Sequence, residues 1–340
     1  MQSKHIKWIF ILLGLSVLLL LSFAISISVG ELAVSPFDIP GILKNGGNSM
    51  EYAILKQIRL PRIILGIAVG GSLSLAGAIL QGIYRNPLVE PYTLGISGGA
   101  ALGVSIAIVF SLATAYGAYI LPLSGFLGSL LIIFIVYTFS IQKGKLNTNN
   151  MLLTGVMISF ISSSIMMLLM AISTKQNMNE IIFWIMGSLD EPDTTLIKYA
   201  FISSISGLLL SYFFVKQLNA LRLGEEKAMH IGINSELAIR LLFIIASLLT
   251  GISVAVAGII GFVGLIIPHL MRLLLGNDFR VLLIASFLGG SSFLILSDTL
   301  ARTAISPNEL PVGVITGIIG GLLFVLILRK LNTRINISEY

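Results

Sequence analysis

Apolar positions in this chain come as long uncharged runs divided by short polar clusters, and neither a strand-like alternation nor a soluble-helix stripe dominates. Residues 8–30 follow Lys4 and Lys7 without a charge, and 63–84 repeat the pattern after Arg62. Residues 91–142 are uncharged over 52 positions, enough for two crossings with a break near Tyr116-Gly117. Further runs occupy 146–174, 199–215, 241–271, 281–297 and 310–328. About 20 apolar residues cross a bilayer as a helix. The run 8–30 meets that length and is followed by no small-residue cleavage site, so it is read as a retained helix rather than a signal peptide.

The 31-residue run 241–271 fits one long crossing or one full and one short crossing. Charge bias separates the two. With two crossings there are ten spans: 8–30, 62–84, 92–112, 117–141, 148–172, 197–215, 240–258, 261–276, 281–300 and 310–328. The inner segments then hold 14 basic residues and six acids, and the outer ones seven basic residues and nine acids. Net charges of +8 inside and −2 outside match the excess of Lys and Arg expected in cytoplasmic loops. A single crossing would place Arg272, Arg280, Arg329, Lys330 and Arg334 outside. The pattern therefore predicts an all-α, ten-span membrane protein with both termini cytoplasmic, forming one domain over 1–340.

Two outer segments exceed a tight turn, 31–61 and 173–198. The second holds an amphipathic stretch from Glu180 to Leu189 that suits a helix at the outer interface. The longest inner loop, 216–239, is divided by Gly224 and Gly232 into two short helical pieces. Ala76-Gly77-Ala78-Ile79 in span two echoes Ala257-Gly258-Ile259-Ile260 in span seven. Those spans run in opposite directions, so the echo would mark an inverted repeat.

Composition narrows the function. Hydrophobic residues make up 56% and charged residues 11%, at a mean hydropathy of +1.00. Soluble domains carry about 25% charge, so a soluble enzyme, a nucleic-acid module and a disordered scaffold are excluded. The net charge of +6 belongs to the inner loops and not to nucleic acid. With no cysteine there is no disulfide or thiolate site, and His5, His230 and His269 are too scattered for a metal cluster. Gly144-Lys145 is followed by Leu146 and lacks the preceding glycine of a phosphate loop. Any ATP chemistry must therefore come from another subunit. Proton- or sodium-coupled carriers usually keep ionisable residues at mid-membrane. The middles of these spans have none; Asp298 and Arg302 close span nine one turn apart, and Glu309 precedes span ten.

Three segments are too specific for lipid-filling sequence. They are Arg59-Leu60-Pro61-Arg62; the run from Gln81 through Asn86-Pro87 to Glu90-Pro91, with Leu94-Gly95-Ile96-Ser97-Gly98-Gly99-Ala100; and Gly261-Phe262-Val263-Gly264-Leu265-Ile266-Ile267-Pro268-His269, continuing through Arg272 to Glu309-Leu310-Pro311-Val312-Gly313. In wording and order these resemble the permease subunits of type II ABC importers, the iron-chelate, haem and vitamin B12 uptake family. The resemblance runs from about residue 50 to 328.

The resemblance implies a permease of the cytoplasmic membrane, working as a homodimer or close heterodimer with two ATPase subunits that use ATP and Mg, and with an extracytoplasmic substrate-binding protein. The chain itself would bind no cofactor. The cargo it implies is an iron(III)-siderophore, with haem, cobalamin or a metal oxyanion as competitors; an ion-coupled secondary transporter is the alternative outside the family. Arg59, Arg62 and Arg302 match positions that receive the binding protein's glutamates, against a plainer reading as snorkelling anchors. Leu223, Gly224, Glu225, Glu226, Ala228, Met229 and Gly232 match the loop that couples to the ATPase. By analogy, spans five and ten line the passage, with Ser159, Ser163, Met166 and Met167 as its candidates. Asn86-Pro87 is expected to shape a turn, and His269 to be structural or a gate contact.

Overall fold

A computed structural model describes residues 2–30, 34–35, 38–45, 49–142, 145–305 and 308–337; Gly144 lies outside them. The apolar runs fold into helices α1 (Gln2–Ser28), α2 (Leu60–Tyr84), α3 (Ile96–Val109), α4 (Ile120–Phe139), α5 (Thr148–Ile172), α6 (Thr194–Phe213), α7 (Ser235–Ala257), α8 (Val263–Leu275), α9 (Phe279–Thr303) and α10 (Val312–Ile337). Seven of these, α1, α2, α4 to α7 and α9, are long and apolar enough to cross a membrane. The chain is an all-α polytopic membrane protein. Its only ladder among the described residues is a two-residue pairing of Ile141-Gln142 with Lys145-Leu146.

Helix α2 is the axis of the bundle, packed by α6, α7, α8 and α9. Small residues let these backbones close up where lipid offers no hydrophobic drive. A Cβ on Gly77 would stand 1.8 Å from the Gly264 carbonyl oxygen, and one on Gly70 would stand 2.3 Å from that of Gly290. Neither site accepts a side chain at this spacing.

Helices α3 and α8 have 14 and 13 residues. At 1.5 Å per residue each covers about 20 Å, short of a hydrocarbon core of about 30 Å. The expected spans 92–112 and 261–276 are therefore longer than the helices, and irregular backbone precedes each one. Gly95 (φ 81°) and Phe262 (φ 68°) start them in the left-handed region. Such backbone cannot be left unpaired inside a membrane, and here two side chains, one from the segment before α3 and one from α2, bond the backbone at the start of α8. Tyr92 Oη donates to the Ile260 carbonyl at 2.9 Å and accepts from the Ile260 N–H at 3.0 Å. Gln81 Nε2 donates to the carbonyls of Gly264 at 3.3 Å and Leu265 at 3.1 Å.

The tetrapeptides that suggested a repeat sit in different settings: Gly77 is buried within α2, whereas Gly258 ends α7 at φ 67°. The break expected near Tyr116-Gly117 falls at Gly117 (φ 99°). The outer interfacial helix is Lys175–Ile185, beginning five residues before the expected Glu180 and capped by the Thr174 hydroxyl.

Candidate functional site

One end of the bundle gathers 83–85, Gln142, 146–149 and 223–227 around a cleft of about 1130 Å³. A neighbouring hollow joins residues of 81–87 to Arg222, Arg272 and Asn277. Trp8 belongs to the same end, since its Nε1 donates to the Leu275 carbonyl at 3.1 Å. Four loops that sequence assigned to the inside thus share one end with Trp8 of α1.

There the inner loop forms two helices, Val215–Leu221 and Glu225–His230, punctuated by Gly224 (φ 110°) and Gly232 (φ 83°) as expected. Glu225 and Glu226 sit in the first turn of the second helix, where negative charge suits the helix dipole. Ser235 Oγ donates to the Glu225 carbonyl at 3.2 Å and Ile233 N–H to that of Ala228 at 3.0 Å, folding the loop onto α7. The four-residue spacing of Gly224, Ala228 and Gly232 does not make a shared helical face, because the helix has six residues and both glycines lie beyond its ends. Ala228 is fully buried in the chain's own core. The apolar side chains that this loop exposes before α7 are Leu223, Met229 and Ile231. Sequence reasoning passed over Ile231; its signal was an isoleucine in a charged loop beside a glycine turn.

At the opposite end, the arginines expected to face the binding protein turn inward. Arg59 is 3% exposed and donates through Nη1 to the Ile27 carbonyl at 2.6 Å. Arg62 Nη2 meets Glu309 Oε2 at 2.7 Å and Asp190 Oδ1 at 3.2 Å. Arg302 Nε pairs with Asp298 Oδ2 at 3.0 Å, the one-turn pairing read from sequence, and its Nη2 reaches Ser26 Oγ at 3.1 Å. The physical reason is burial: at the C-terminal ends of α1 and α9 and the start of α2, these guanidiniums are the donors that satisfy carbonyls and carboxylates already inside the fold. Snorkelling does not describe them. Docking through them would require them to leave these partners. Of the carboxylates paired at this end, Asp190 and Glu309 are exposed.

Between the two ends, Ser159 and Ser163 of α5 line a cleft of about 320 Å³ with Glu90, Tyr92, Thr93 and Phe160. Ser159 Oγ donates back to the Gly155 carbonyl at 2.9 Å. The other two passage candidates do not join this cleft: Met166 packs on Val104, Ile108 and Ile181, and Met167 is exposed further along α5. Glu90 was read only as part of a motif, because it falls between spans. Its carboxyl is pushed up to about 7 by burial, against the Phe262 backbone N–H, which favours the ionised form. His269 Nε2 is buried without a hydrogen-bond partner among the described residues. No group of three His, Cys, Asp or Glu able to hold a metal occurs among the described residues.

A polytopic helical bundle with short helices and irregular backbone at its centre, a cleft bordered by Glu90, Ser159 and Ser163 beside them and a loop folded on one end is the architecture of a membrane permease. The chain belongs to the FecCD transport family, whose model matches residues 18–330, and is thus a multi-pass ABC transporter permease subunit of the cytoplasmic membrane. It is 38% identical to the hemin transport system permease HmuU of Yersinia pestis over 95% of this chain and 97% of that one. It is 36% identical to the vitamin B12 import permease BtuC of Klebsiella pneumoniae, over 98% and 96%. A solved inward-facing metal-chelate type ABC transporter shares the fold at a TM-score of 0.84 and 32% identity, covering 94% of this chain and 99% of that one.

Proposed function

We propose that this chain passes a metal chelate, an iron(III)-siderophore in the first instance, across the membrane as half of a dimer driven by two ATPase subunits and supplied by an external binding protein. The observation that carries the reading is the family match over nearly the whole chain, joined to an inner end where the loop 216–239 is folded as a unit. Ten spans with both termini inside are supported by the seven long helices, the shorter apolar helices Ile96–Val109, Val263–Leu275 and Val312–Ile327, and the shared end of the inner segments. The apolar faces of α5 and α10 suit a second permease subunit, with Ser159 and Ser163 beside the passage. Leu223 and Met229, with Ile231, would meet the ATPase, while Gly224, Glu225, Glu226, Ala228 and Gly232 shape the loop. Arg59, Arg62 and Arg302 would serve docking, Arg62 by holding Asp190 and Glu309 at the outer surface and Arg59 and Arg302 by fixing the helix ends beside it. Similarity to haem and B12 permeases favours a tetrapyrrole as the second reading.

The test is uptake into proteoliposomes holding the permease, its ATPase and its binding protein. A radiolabelled iron(III)-siderophore is offered beside haem and cyanocobalamin. ATP-dependent accumulation of the siderophore is the expected result. Uptake that survives without ATP while an ion gradient persists would instead identify a secondary carrier.

A further inference from the structure

Beside the inner cleft lies a smaller hollow of about 200 Å³, and Arg85 borders both. Its wall carries Arg85 at the left-handed end of α2, Arg222 just after Val215–Leu221, and Arg272 near the end of α8. Among the described residues no carboxylate lies within 4.0 Å of any of these three guanidiniums. Arg222 donates to the Asn277 carbonyl at 2.6 Å. Arg272 Nη2 is buried with no acceptor. Asp278, the carboxylate next along the chain, is already taken by Arg280 at 2.7 Å and Asn219 at 3.2 Å. Three cations therefore border one hollow with no carboxylate in ion-pair contact, Glu225 and Glu226 lining the larger cleft that Arg85 also borders; a buried charged donor without an acceptor is among the costliest arrangements a fold can hold.

We propose that this hollow receives a carboxylate side chain, an Asp or Glu of the ATPase subunit, beside the coupling loop. The inference rests on the reading of this chain as an ATPase-driven permease. Charge and shape support it: guanidinium forks match a carboxylate bidentately, and the space suits one side chain and not a helix. Position supports it too. A Cβ on Gly224 would lie 3.5 Å from Arg85 Nη1, so the hollow is continuous with the loop's own hinge. It opens among α2, α8, the start of α9 and the loop, at the end of the bundle. A carboxylate seated there would tie the ATPase to α2 and α8, the helices that flank the irregular backbone at the centre.

The experiment measures binding of the purified cognate ATPase subunit to the full-length permease in phosphatidylcholine nanodiscs, at low and high salt. Arg85→Gln and Arg222→Gln replace exposed side chains and spare the fold; Arg272→Lys keeps the charge at the buried position. Each Gln variant is expected to lose about tenfold in affinity at low salt. The loss shrinks at high salt, as screening requires, while Arg272→Lys binds within a fewfold of wild type. An Arg222→Asp permease should regain binding with an ATPase in which one surface acid is changed to Arg. Wild-type affinity in both Gln variants overturns the proposal; if Met229→Arg in the loop still abolishes binding, the ATPase-driven reading survives alone. Absence of any binding by wild type overturns both. If inorganic phosphate or phosphatidylglycerol protects the lone permease against heat, and the Gln variants lose that protection at unchanged ATPase affinity, the hollow belongs to a phosphate-bearing ligand.

Discussion

The two ends of the bundle treat arginine in opposite ways. At the outer end Arg62 and Arg302 are each paired with carboxylates and Arg59 with a carbonyl, all three below the surface. At the inner end Arg85, Arg222 and Arg272 share a hollow without an acid. The same residue type is internal glue in one place and open charge in the other. Sequence position does not distinguish them, since each group lies at helix ends beside membrane-spanning segments. What differs is how the acids are engaged: Asp190 and Glu309 pair with Arg62 and Asp298 with Arg302, whereas at the inner end Asp278 is held near a pKa of 2, chiefly by its hydrogen bond from Arg280, and Glu225 and Glu226 line the larger cleft without ion-pair contact to the three arginines. The outer end closes on itself and the inner end is left for a partner to complete.

The same substitution made at both ends should break this symmetry most visibly. Arg302→Gln strands the Asp298 carboxylate, which is 5% exposed. Removing one partner of a buried pair costs about 3–5 kcal/mol. Arg222→Gln removes an exposed side chain with one hydrogen bond to a carbonyl, and surface changes of that kind stay within about 0.5 kcal/mol. Thermal unfolding of the purified permease in detergent should therefore show a large loss for Arg302→Gln and almost none for Arg222→Gln. Equal losses would remove the distinction. Reversing the charge of Arg59, Arg62 or Arg302 would bury new carboxylates, so such variants report on stability before they report on docking.

Between the ends, Glu90 offers a middle-sized effect with a definite pH window. Its folded pKa of about 7 is raised from 4.5, so the protonated form is the one the fold prefers. The stability it contributes is fully present below about pH 4.5 and is lost as pH rises through 7. One pKa unit corresponds to about 1.4 kcal/mol, and the incompletely buried site reduces the whole to about 1–3 kcal/mol. Melting temperature measured from pH 5 to 8 should fall in wild type and stay flatter in Glu90→Gln. Identical slopes would show that the carboxyl titrates as it does in water.

Much of this was legible from sequence. Uncharged runs and the excess of basic inner residues fixed the helices and the shared end of four loops, because lipid tolerates few exceptions to either rule. The pairing of Asp298 with Arg302 followed from one helical turn. Burial was not legible. Ala228 in a charged loop, Met166 on a Met- and Ser-rich helix and Arg62 in an interfacial motif all turned inward, because the partners that bury them come from distant segments: Val104 and Ile181 around Met166, Asp190 and Glu309 around Arg62. Glu90 was hidden by a gap between spans, since a helix count assumes that helices fill the membrane. Here α3 and α8 are short, and the segment containing Glu90 and Tyr92 packs beside the backbone that precedes α8.

The smallest expected effect on stability falls on the coupling loop, where it sharpens the contrast between what the chain completes itself and what it leaves open. Met229 and Ala228 are neighbours in one six-residue helix, yet Met229 is 56% exposed and Ala228 is 0% exposed. Ala228→Arg would force a charged side chain into the core and unfold the loop, so it reports on packing and not on coupling. Met229→Arg keeps the helix, since arginine is as good a helix former as methionine, and should shift stability by no more than about 0.5 kcal/mol. Its cost should appear in function: a charge placed where an apolar contact is expected leaves an uncompensated group at the centre of an interface. In proteoliposomes Met229→Arg should retain the wild-type melting temperature and dimeric size while substrate no longer stimulates ATP hydrolysis. Normal stimulation in Met229→Arg, and again in Leu223→Arg, would move the contact with the ATPase away from this loop and leave the arginine hollow as the inner end's remaining open charge.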